Sequence, residues 1–327
     1  MHNMKYLIYI VVLLTFISFV TADSMWVWNK ENYILEETDE LIRFSNAINV
    51  NELYLHFTSS QLQDPKVPDV IQQLNKEGFK VHYLTGDRPW VFGNVMEERV
   101  QNLVNFNLKN GNLFEGIHFD IERNDWFQND NAVAISFLSN LKKIKQTYPK
   151  VKVSLDIPFW LDSHDSSKPF AFNGKTALFS THLRDYTSFL TIMDYRTSGE
   201  EIVKLATEIK EGPTVIGLEF GDTEPKEITF WGKGLQKYVN EKKIAAVGFS
   251  TNFEGFSFHY YKELRTFLRD EGDYNLDGTV DGEDILSIKK NVGSFVLYIK
   301  NTYPQDSLPV SIHKYLRVMS SNWGLSF

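Results

Sequence analysis

The sequence predicts an α/β fold: a closed (β/α)8 barrel followed by a small α-helical module. Short runs rich in Val, Ile, Tyr and Phe alternate with longer segments of helical period. The alternation occurs eight times over about 250 residues, the usual count and size of a closed barrel of parallel strands. After the last predicted helix comes an acidic loop with regularly spaced oxygen-bearing side chains, which predicts the separate module.

The predicted strands and helices alternate along the chain. We expect strands at 25–28, 53–57, 81–85, 116–122, 151–158, 189–195, 215–220 and 245–251. We expect helices at 39–47, 67–77, 97–109, 132–146, 177–186, 200–211, 227–241 and 260–269. A doubly wound open sheet is the alternative, but its ligand site usually opens with a glycine-rich turn after the first strand. The first unit here, WVWNK, has no glycine.

The 327-residue chain divides into three predicted parts. Residues 1–22 have a short basic start, an apolar run and small residues at their end, which is typical of a secretory signal peptide. An uncleaved N-terminal anchor is the alternative reading. The barrel is expected at 23–270 and the module at 271–327. The signal peptide predicts an extracellular protein, and a chain without cysteine must be held by its core or by metal.

Charge restricts the partners. The formal net charge is −8, and the 23% of charged residues form no basic stripe. Nucleic acid and an anionic membrane surface are therefore poor partners, and neutral or cationic ones fit better.

One strand, FEGIHFDIE, interleaves apolar and ionisable residues. Because side chains alternate along a strand, His118, Asp120 and Glu122 face one way and the apolar residues between them face the other. In a barrel the polar set points inward, nearest the active end at Glu122. Two carboxyl groups so close raise at least one pKa, which suits a general acid. Ligation of a divalent metal and a purely structural polar network are the alternatives.

This strand resembles the signature Asp-Gly-x-Asp-x-Asp-x-Glu of the family 18 glycoside hydrolases, which are chitinases and their relatives. The resemblance implies that Glu122 is the general acid and that Asp120 orients the acetamido group of the substrate. The run MDYR resembles the family's Met-x-Tyr-Asp and implies that Tyr195 hydrogen-bonds the acetamido oxygen. Glu115 and His118 stand in place of the first two aspartates, and an arginine follows Tyr195 where an aspartate is usual.

The order of WVW, GIHFDIE, DIPFW and MDYR also resembles a group of secreted bacterial barrel proteins distantly related to glycosidases, over about residues 25 to 258. Carbohydrate sites commonly combine carboxylates with aromatic rings, because sugar rings present apolar faces. The residues expected to bind substrate are Asp156, Glu219, Trp28, Trp160 and His118. Glu219 is also the alternative nucleophile of a conventional retaining glycosidase.

The loop DYNLDGTVDGED has the spacing of an EF-hand calcium loop. Its predicted Ca²⁺ ligands are Asp273, Asn275, Asp277, Thr279, Asp281 and Asp284. With the helix that follows, it resembles one repeat of a type I dockerin, which implies a cohesin-type scaffold protein as a partner. No second ligand set follows, so a calcium-stapled cap on the barrel is the alternative.

Together these features predict a secreted glycoside hydrolase that acts on an oligosaccharide or polysaccharide by general acid/base catalysis and carries a calcium-binding tail. The alternative, from a different class, is a non-catalytic carbohydrate-binding or scaffold-associated barrel protein.

Overall fold

The computed structural model describes residues 23–28, 33–163, 167–206, 211–249 and 252–270. The predicted signal peptide and the predicted calcium module, with all six of its ligands, lie outside these ranges. In the described part of the chain no helix is long and apolar enough to cross a membrane.

Eight of the described strands close into a parallel barrel in the order β1-β10-β9-β8-β5-β4-β3-β2. In chain order the strands are β1 (Asp23–Val27), β2 (Val50–His56), β3 (Lys80–Thr85), β4 (Gly116–Phe119), β5 (Lys152–Pro158), β6 (Phe170–Phe172), β7 (Lys175–Ala177), β8 (Phe189–Met193), β9 (Thr214–Glu219) and β10 (Phe253–His259). β6 and β7 form a separate antiparallel hairpin. The predicted (β/α)8 barrel, or TIM barrel, is confirmed.

Helices follow the barrel strands. They are α1 (Tyr33–Glu36), α2 (Thr38–Ala47), α3 (Lys66–Lys76), α4 (Val95–Asn110), α5 (Ala132–Thr147), α6 (Phe179–Arg184), α7 (Gly199–Leu205), α8 (Leu235–Gly248) and α9 (Tyr261–Asp270). The helices predicted at 177–186 and 200–211 are shorter than expected. The core lies mainly between strands and helices, where residues such as Ile117 and Phe119 of β4 are fully buried.

A second cluster fills the inside of the barrel. Trp26, Tyr54 and Leu84 pack together there, separately from the outer core. The Tyr54 ring stacks on the imidazole of His118 with ring centroids 4.0 Å apart. Alternation along the strands therefore sends aromatic and ionisable side chains inward, as in other closed barrels.

The prediction of the last strand at 245–251 was wrong. α8 continues to Gly248, and the eighth barrel strand is β10. Ala245 has no exposed surface, and α7 packs so closely on α8 that a Cβ on Gly199 would lie 2.9 Å from the Ala245 nitrogen. The run AAVG is therefore a helix end that packs on α7 through Ala245, while Val247 is 80% exposed. α8 also begins later than the predicted 227, because Thr229 pairs with Glu219 in an isolated bridge.

Two further strands end earlier than predicted. β4 ends at Phe119 instead of residue 122, and β8 ends at Met193 instead of residue 195. After Met193 the backbone N–H of Asp194 donates to the carbonyl oxygen of Ile192 at 2.8 Å, which turns the chain away from the sheet. The predicted catalytic residues beyond these two ends consequently lie on loops.

Candidate active site at the carboxyl ends of the strands

Ionisable side chains from five neighbouring strands meet near the carboxyl ends of β4, β5, β8, β9 and β10. The pKa of Tyr195 shows that these side chains lie close together, because their charges act on its hydroxyl. Burial first, and then the charges of Glu219, Asp156, Asp120 and Glu122, raise the pKa of the Tyr195 hydroxyl well above its usual value. We call this region of the barrel the mouth. It is the face on which barrel enzymes carry their active sites.

Below the mouth, Asp156 and His118 form a closed hydrogen-bonded network. The Trp26 indole donates to Asp156 Oδ2 at 3.0 Å, and His118 Nε2 lies 2.9 Å from Asp156 Oδ1. The other ring nitrogen, His118 Nδ1, lies 2.8 Å from Ser154 Oγ. Both oxygens of Asp156 and both nitrogens of His118 are thus engaged by protein groups.

Burial disfavours charge in this network. Desolvation lowers the pKa of His118 to about 3, although the charge of Glu52 opposes it. Desolvation likewise raises the pKa of Asp156 well above its usual value, against the Trp26 hydrogen bond. Both shifts favour the uncharged forms of the pair, in which the Asp156 carboxyl group donates to His118 Nε2 and His118 Nδ1–H donates to Ser154 Oγ. His118 was predicted to bind substrate, but it has no exposed surface and reaches the mouth only through Asp156.

A second histidine–carboxylate pair lies higher, at the ends of β9 and β10. Oε1 of Glu219 accepts the backbone N–H groups of Phe220 and Gly221 at 2.8 and 2.6 Å. Oε2 accepts His259 Nδ1–H at 2.7 Å. Burial lowers the pKa of His259, but the hydrogen bond and the charge of Glu219 outweigh it, so the pKa is raised.

The two carboxyl residues after β4 differ in exposure. Asp120 is part-buried, and its Oδ1 has no hydrogen-bond partner among the described residues. Burial, followed by the charges of Asp156 and Glu122, raises the pKa of Asp120 well above its usual value. Glu122 was predicted as an inward strand residue; it is instead exposed on the loop. The cause is the early end of β4, where Asp120 N–H donates to Thr85 O at 3.1 Å.

Aromatic side chains flank the mouth. Trp28, just after β1, is part-buried, with its ring centroid 5.0 Å from that of His56. Trp160, after β5, is part-buried against the core. The guanidinium of Arg196 lies 4.4 Å from the ring centroid of Phe159 and donates to the Tyr195 carbonyl at 2.7 Å. Arg196 is therefore held against an aromatic ring beside Tyr195.

The alternative that these carboxyl groups bind a divalent metal ion has no support in the described residues. Within the described ranges, no group of three or more His, Asp and Glu side chains is arranged to hold a metal ion.

Sequence reasoning missed three residues of this site. His259 ends the alternating run FEGFSFH, a strand signal that the incorrect assignment of 245–251 concealed. Trp26 lies between two outward-facing apolar residues, so strand alternation could have identified its inward position. No sequence pattern identifies Gly86 as part of the site. Only the folded structure shows that a Cβ on Gly86 would lie 1.7 Å from the Asp120 carbonyl oxygen.

Comparison with known proteins gives only distant similarities to solved structures. No protein-family model and no curated protein matches the sequence. Among solved structures, active domain 2 of a thermostable chitinase from Pyrococcus furiosus aligns with 73% of this chain and 83% of its own, at 11% identity and a TM-score of 0.48. The GH99 endo-alpha-mannosidase from Bacteroides thetaiotaomicron aligns over the same shares, at 11% identity and a TM-score of 0.47.

An endo-1,4-beta-mannanase from Rhizomucor miehei is also similar, over 73% of this chain and 86% of its own, at 10% identity and a TM-score of 0.47. The solved structures that resemble this chain thus include glycoside hydrolase barrels. Similarity at this level assigns no role to any residue, and the closed barrel rests on the strand pairing described above.

Proposed function

We propose that the barrel is a glycoside hydrolase that acts on an oligosaccharide or polysaccharide by general acid/base catalysis. The observation that carries the proposal is the carboxyl cluster at the mouth, in which Asp120 has a raised pKa beside Glu122. A carboxyl group that keeps its proton near neutral pH can donate it to the oxygen of a glycosidic bond. The proposed catalytic residues are Asp120, Glu122 and Tyr195.

In this proposal the Asp120–Glu122 pair holds the catalytic proton. Burial favours the protonated form of Asp120, and Glu122 is open to a ligand at the mouth. The pair gives a proton to the leaving-group oxygen as the bond between that oxygen and the sugar carbon breaks, with its electron pair moving to the oxygen. Water then adds hydroxyl to the sugar carbon, and its remaining proton returns to the pair.

The surrounding residues support a sugar ligand. Because the pKa of Tyr195 is raised, its hydroxyl remains neutral and can donate to a substrate oxygen. Trp28 and Trp160 are part-buried near the mouth and offer ring surface to the apolar face of a sugar. Asp156 and Glu219 have both oxygens engaged within the protein, so we assign them to positioning other side chains.

A substrate screen tests the catalytic proposal. Aryl glycosides and N-acetylated oligosaccharides would be incubated with the wild type, Asp120→Asn and Glu122→Gln. We expect each substitution to lower kcat by about 10²-fold or more, a typical contribution of general acid catalysis. Glu98→Gln, an exposed carboxylate on α4, is the matched control and should retain full activity. Equal activity of Glu122→Gln and wild type would show that Glu122 is not a catalytic residue.

A non-catalytic carbohydrate-binding protein is the second candidate. The exposure of Glu122 on a loop, away from the inward face of β4, favours it. This candidate predicts oligosaccharide binding, measured by calorimetry, that Glu122→Gln leaves unchanged, together with no turnover of any substrate in the screen.

Export is also a proposal, based on the composition of residues 1–22. Mass spectrometry of the protein recovered from the medium should give a mature N terminus at Asp23. A membrane-bound product that retains residues 1–22 would support the anchor instead.

Calcium binding at 273–284 is proposed from the spacing of oxygen side chains alone. We expect Ca²⁺ to raise the melting temperature of the wild type, because a ligand that binds only the folded state stabilises it. The double variant Asp273→Ala/Asp277→Ala should lose this rise, and Asp222→Ala, an exposed carboxylate of the barrel, should keep it. An unchanged rise in the double variant would place the calcium site elsewhere.

A cohesin-type partner is proposed from the dockerin-like repeat. Calcium-dependent binding of the full chain to a cohesin domain, abolished in the same double variant, would support docking. Calcium-dependent stabilisation without cohesin binding would support the calcium-stapled cap.

A further inference from the structure

We propose that His259, held by Glu219, binds ligand at the mouth and donates a charged Nε2–H hydrogen bond to an oxygen of the bound ligand. The identity of the ligand as a sugar rests on the proposed function, whereas the charge and orientation of His259 do not.

His259 lies across the barrel from the proposed acid pair. In the strand order, β10 is separated from β4 by β9, β8 and β5 on one side and by β1, β2 and β3 on the other. The carboxyl ends of β10 and β4 are therefore diametrically opposed. A ligand seated between them would meet Asp120 and Glu122 on one wall and His259 on the other.

Glu219 fixes the tautomer and the direction of the imidazole. Its Oε1 is held by two backbone N–H groups, and its Oε2 accepts from His259 Nδ1 at 2.7 Å. Glycine at position 221 avoids a tight contact, because a Cβ there would lie 3.1 Å from Glu219 Oε1. The proton on Nδ1 leaves Nε2 as the nitrogen that does not bind Glu219, and Nε2 has no protein partner in the part of the chain that the structure describes.

Two aromatic rings fix the plane of the imidazole. The Tyr195 ring stacks on it with centroids 5.7 Å apart and an interplanar angle of 30°. The Trp26 ring packs against it in a T-shaped arrangement, with centroids 5.7 Å apart and an interplanar angle of 76°. With one nitrogen anchored and two rings packed against it, the imidazole of His259 is held in orientation.

The neighbours of His259 favour its protonated form. Burial lowers the pKa of His259, but the Glu219 carboxylate raises it through the hydrogen bond and its charge, and Asp120 and Asp156 add attraction only in their ionised forms. Tyr195 remains neutral because its own pKa is raised. A fixed cationic donor stabilises negative charge that develops on a ligand oxygen more strongly than a neutral donor does.

Nuclear magnetic resonance titration of His259 tests the charge independently of activity. The resonance would be assigned by its loss in His259→Gln. We expect a midpoint above the ordinary value of about 6.5 in the wild type and a lower midpoint in Glu219→Gln. Glu227→Gln, an exposed carboxylate on the loop after β9, should leave the midpoint unchanged. A wild-type midpoint at or below 6.5, or one that Glu219→Gln does not lower, would overturn the proposal.

The pH profile of the same variants tests the contact with ligand. Wild-type kcat/KM for an N-acetylated oligosaccharide should fall as pH rises through the His259 midpoint. His259→Gln should lower kcat/KM by about 10²-fold, the usual cost of one such donor, and should remove the step of the profile at the His259 midpoint, while deprotonation of the Asp120–Glu122 pair keeps its own basic limb. A pH profile of His259→Gln that still has the step at the His259 midpoint measured by titration would refute the donor role. If no oligosaccharide binds or reacts, both the proposed function and the contact of His259 with ligand are refuted. The nuclear magnetic resonance titration still shows whether His259 is charged.

Discussion

Two histidine–carboxylate pairs with similar contact distances in this barrel have histidine pKa values shifted in opposite directions. His118 lies 2.9 Å from Asp156, and His259 lies 2.7 Å from Glu219. Burial lowers the pKa of His118 to about 3, whereas the pKa of His259 is raised by Glu219 against its burial. The difference lies in what surrounds each carboxyl group.

Asp156 receives one neutral donor, the Trp26 indole, and sits inside the barrel, where a charge is costly. Glu219 accepts two backbone N–H groups in addition to its histidine, and that histidine is partly open, with 29% of the side chain exposed. A close histidine–carboxylate contact therefore does not by itself indicate an ion pair. The hydrogen bonds to the carboxyl group and the depth of burial decide whether the pair is charged.

The largest expected effect comes from removing the inner carboxyl group. Asp156→Ala leaves the Trp26 indole N–H and His118 Nε2 buried without partners, and should lower the free energy of unfolding by about 3 kcal/mol. Asp156→Asn can still accept from Trp26 and donate to His118, so it should cost less than about 1 kcal/mol. Urea denaturation measures both.

Asp185→Ala serves as the control, because Asp185 pairs with Lys175 on the exposed surface and should contribute less than about 1 kcal/mol. If Asp156→Asn proved as costly as Asp156→Ala, the inner pair would be charged and the contrast between the pairs would disappear.

A smaller effect is expected at the other end of the inner network. Ser154→Ala removes the acceptor of His118 Nδ1–H and should cost about 1–2 kcal/mol in the same assay. Ser139→Ala on α5, whose hydroxyl donates to a backbone carbonyl on an exposed surface, should change stability by less than about 0.5 kcal/mol. Equal effects of the two substitutions would mean that the inner network is not tightly satisfied.

The smallest expected effect is a pH-dependent contribution of the outer pair to stability. The pKa of His259 is raised on folding, so protonated His259 stabilises the folded state fully below its unfolded pKa of about 6.5. This contribution is lost as pH rises through the folded pKa. The difference in free energy of unfolding between wild type and His259→Gln should therefore be larger at about pH 6 than at about pH 9. If this difference in free energy of unfolding grew with pH, the pKa of His259 would be lowered on folding instead of raised.

Much of the architecture could be predicted, because strand and helix periods are local properties of the sequence. Seven of the eight expected barrel strands overlap observed ones, and the alternation in FEGIHFDIE placed His118 inside and Phe119 outside as observed. The eighth strand was misplaced because AAVGFS is a short apolar run, while FEGFSFH has no β-branched residue. Its misplacement removed His259 from consideration.

The sequence by itself determined the barrel, the inward face of β4 and the presence of carboxyl groups at several strand ends, since these follow from side-chain period and strand count. Only the tertiary structure decided which carboxyl group meets which histidine, that β4 stops before Glu122, and which histidine has its pKa lowered and which has it raised. Those properties depend on contacts between strands distant in the chain and on burial, because desolvation and hydrogen bonding, not residue type, set the charge of a buried group.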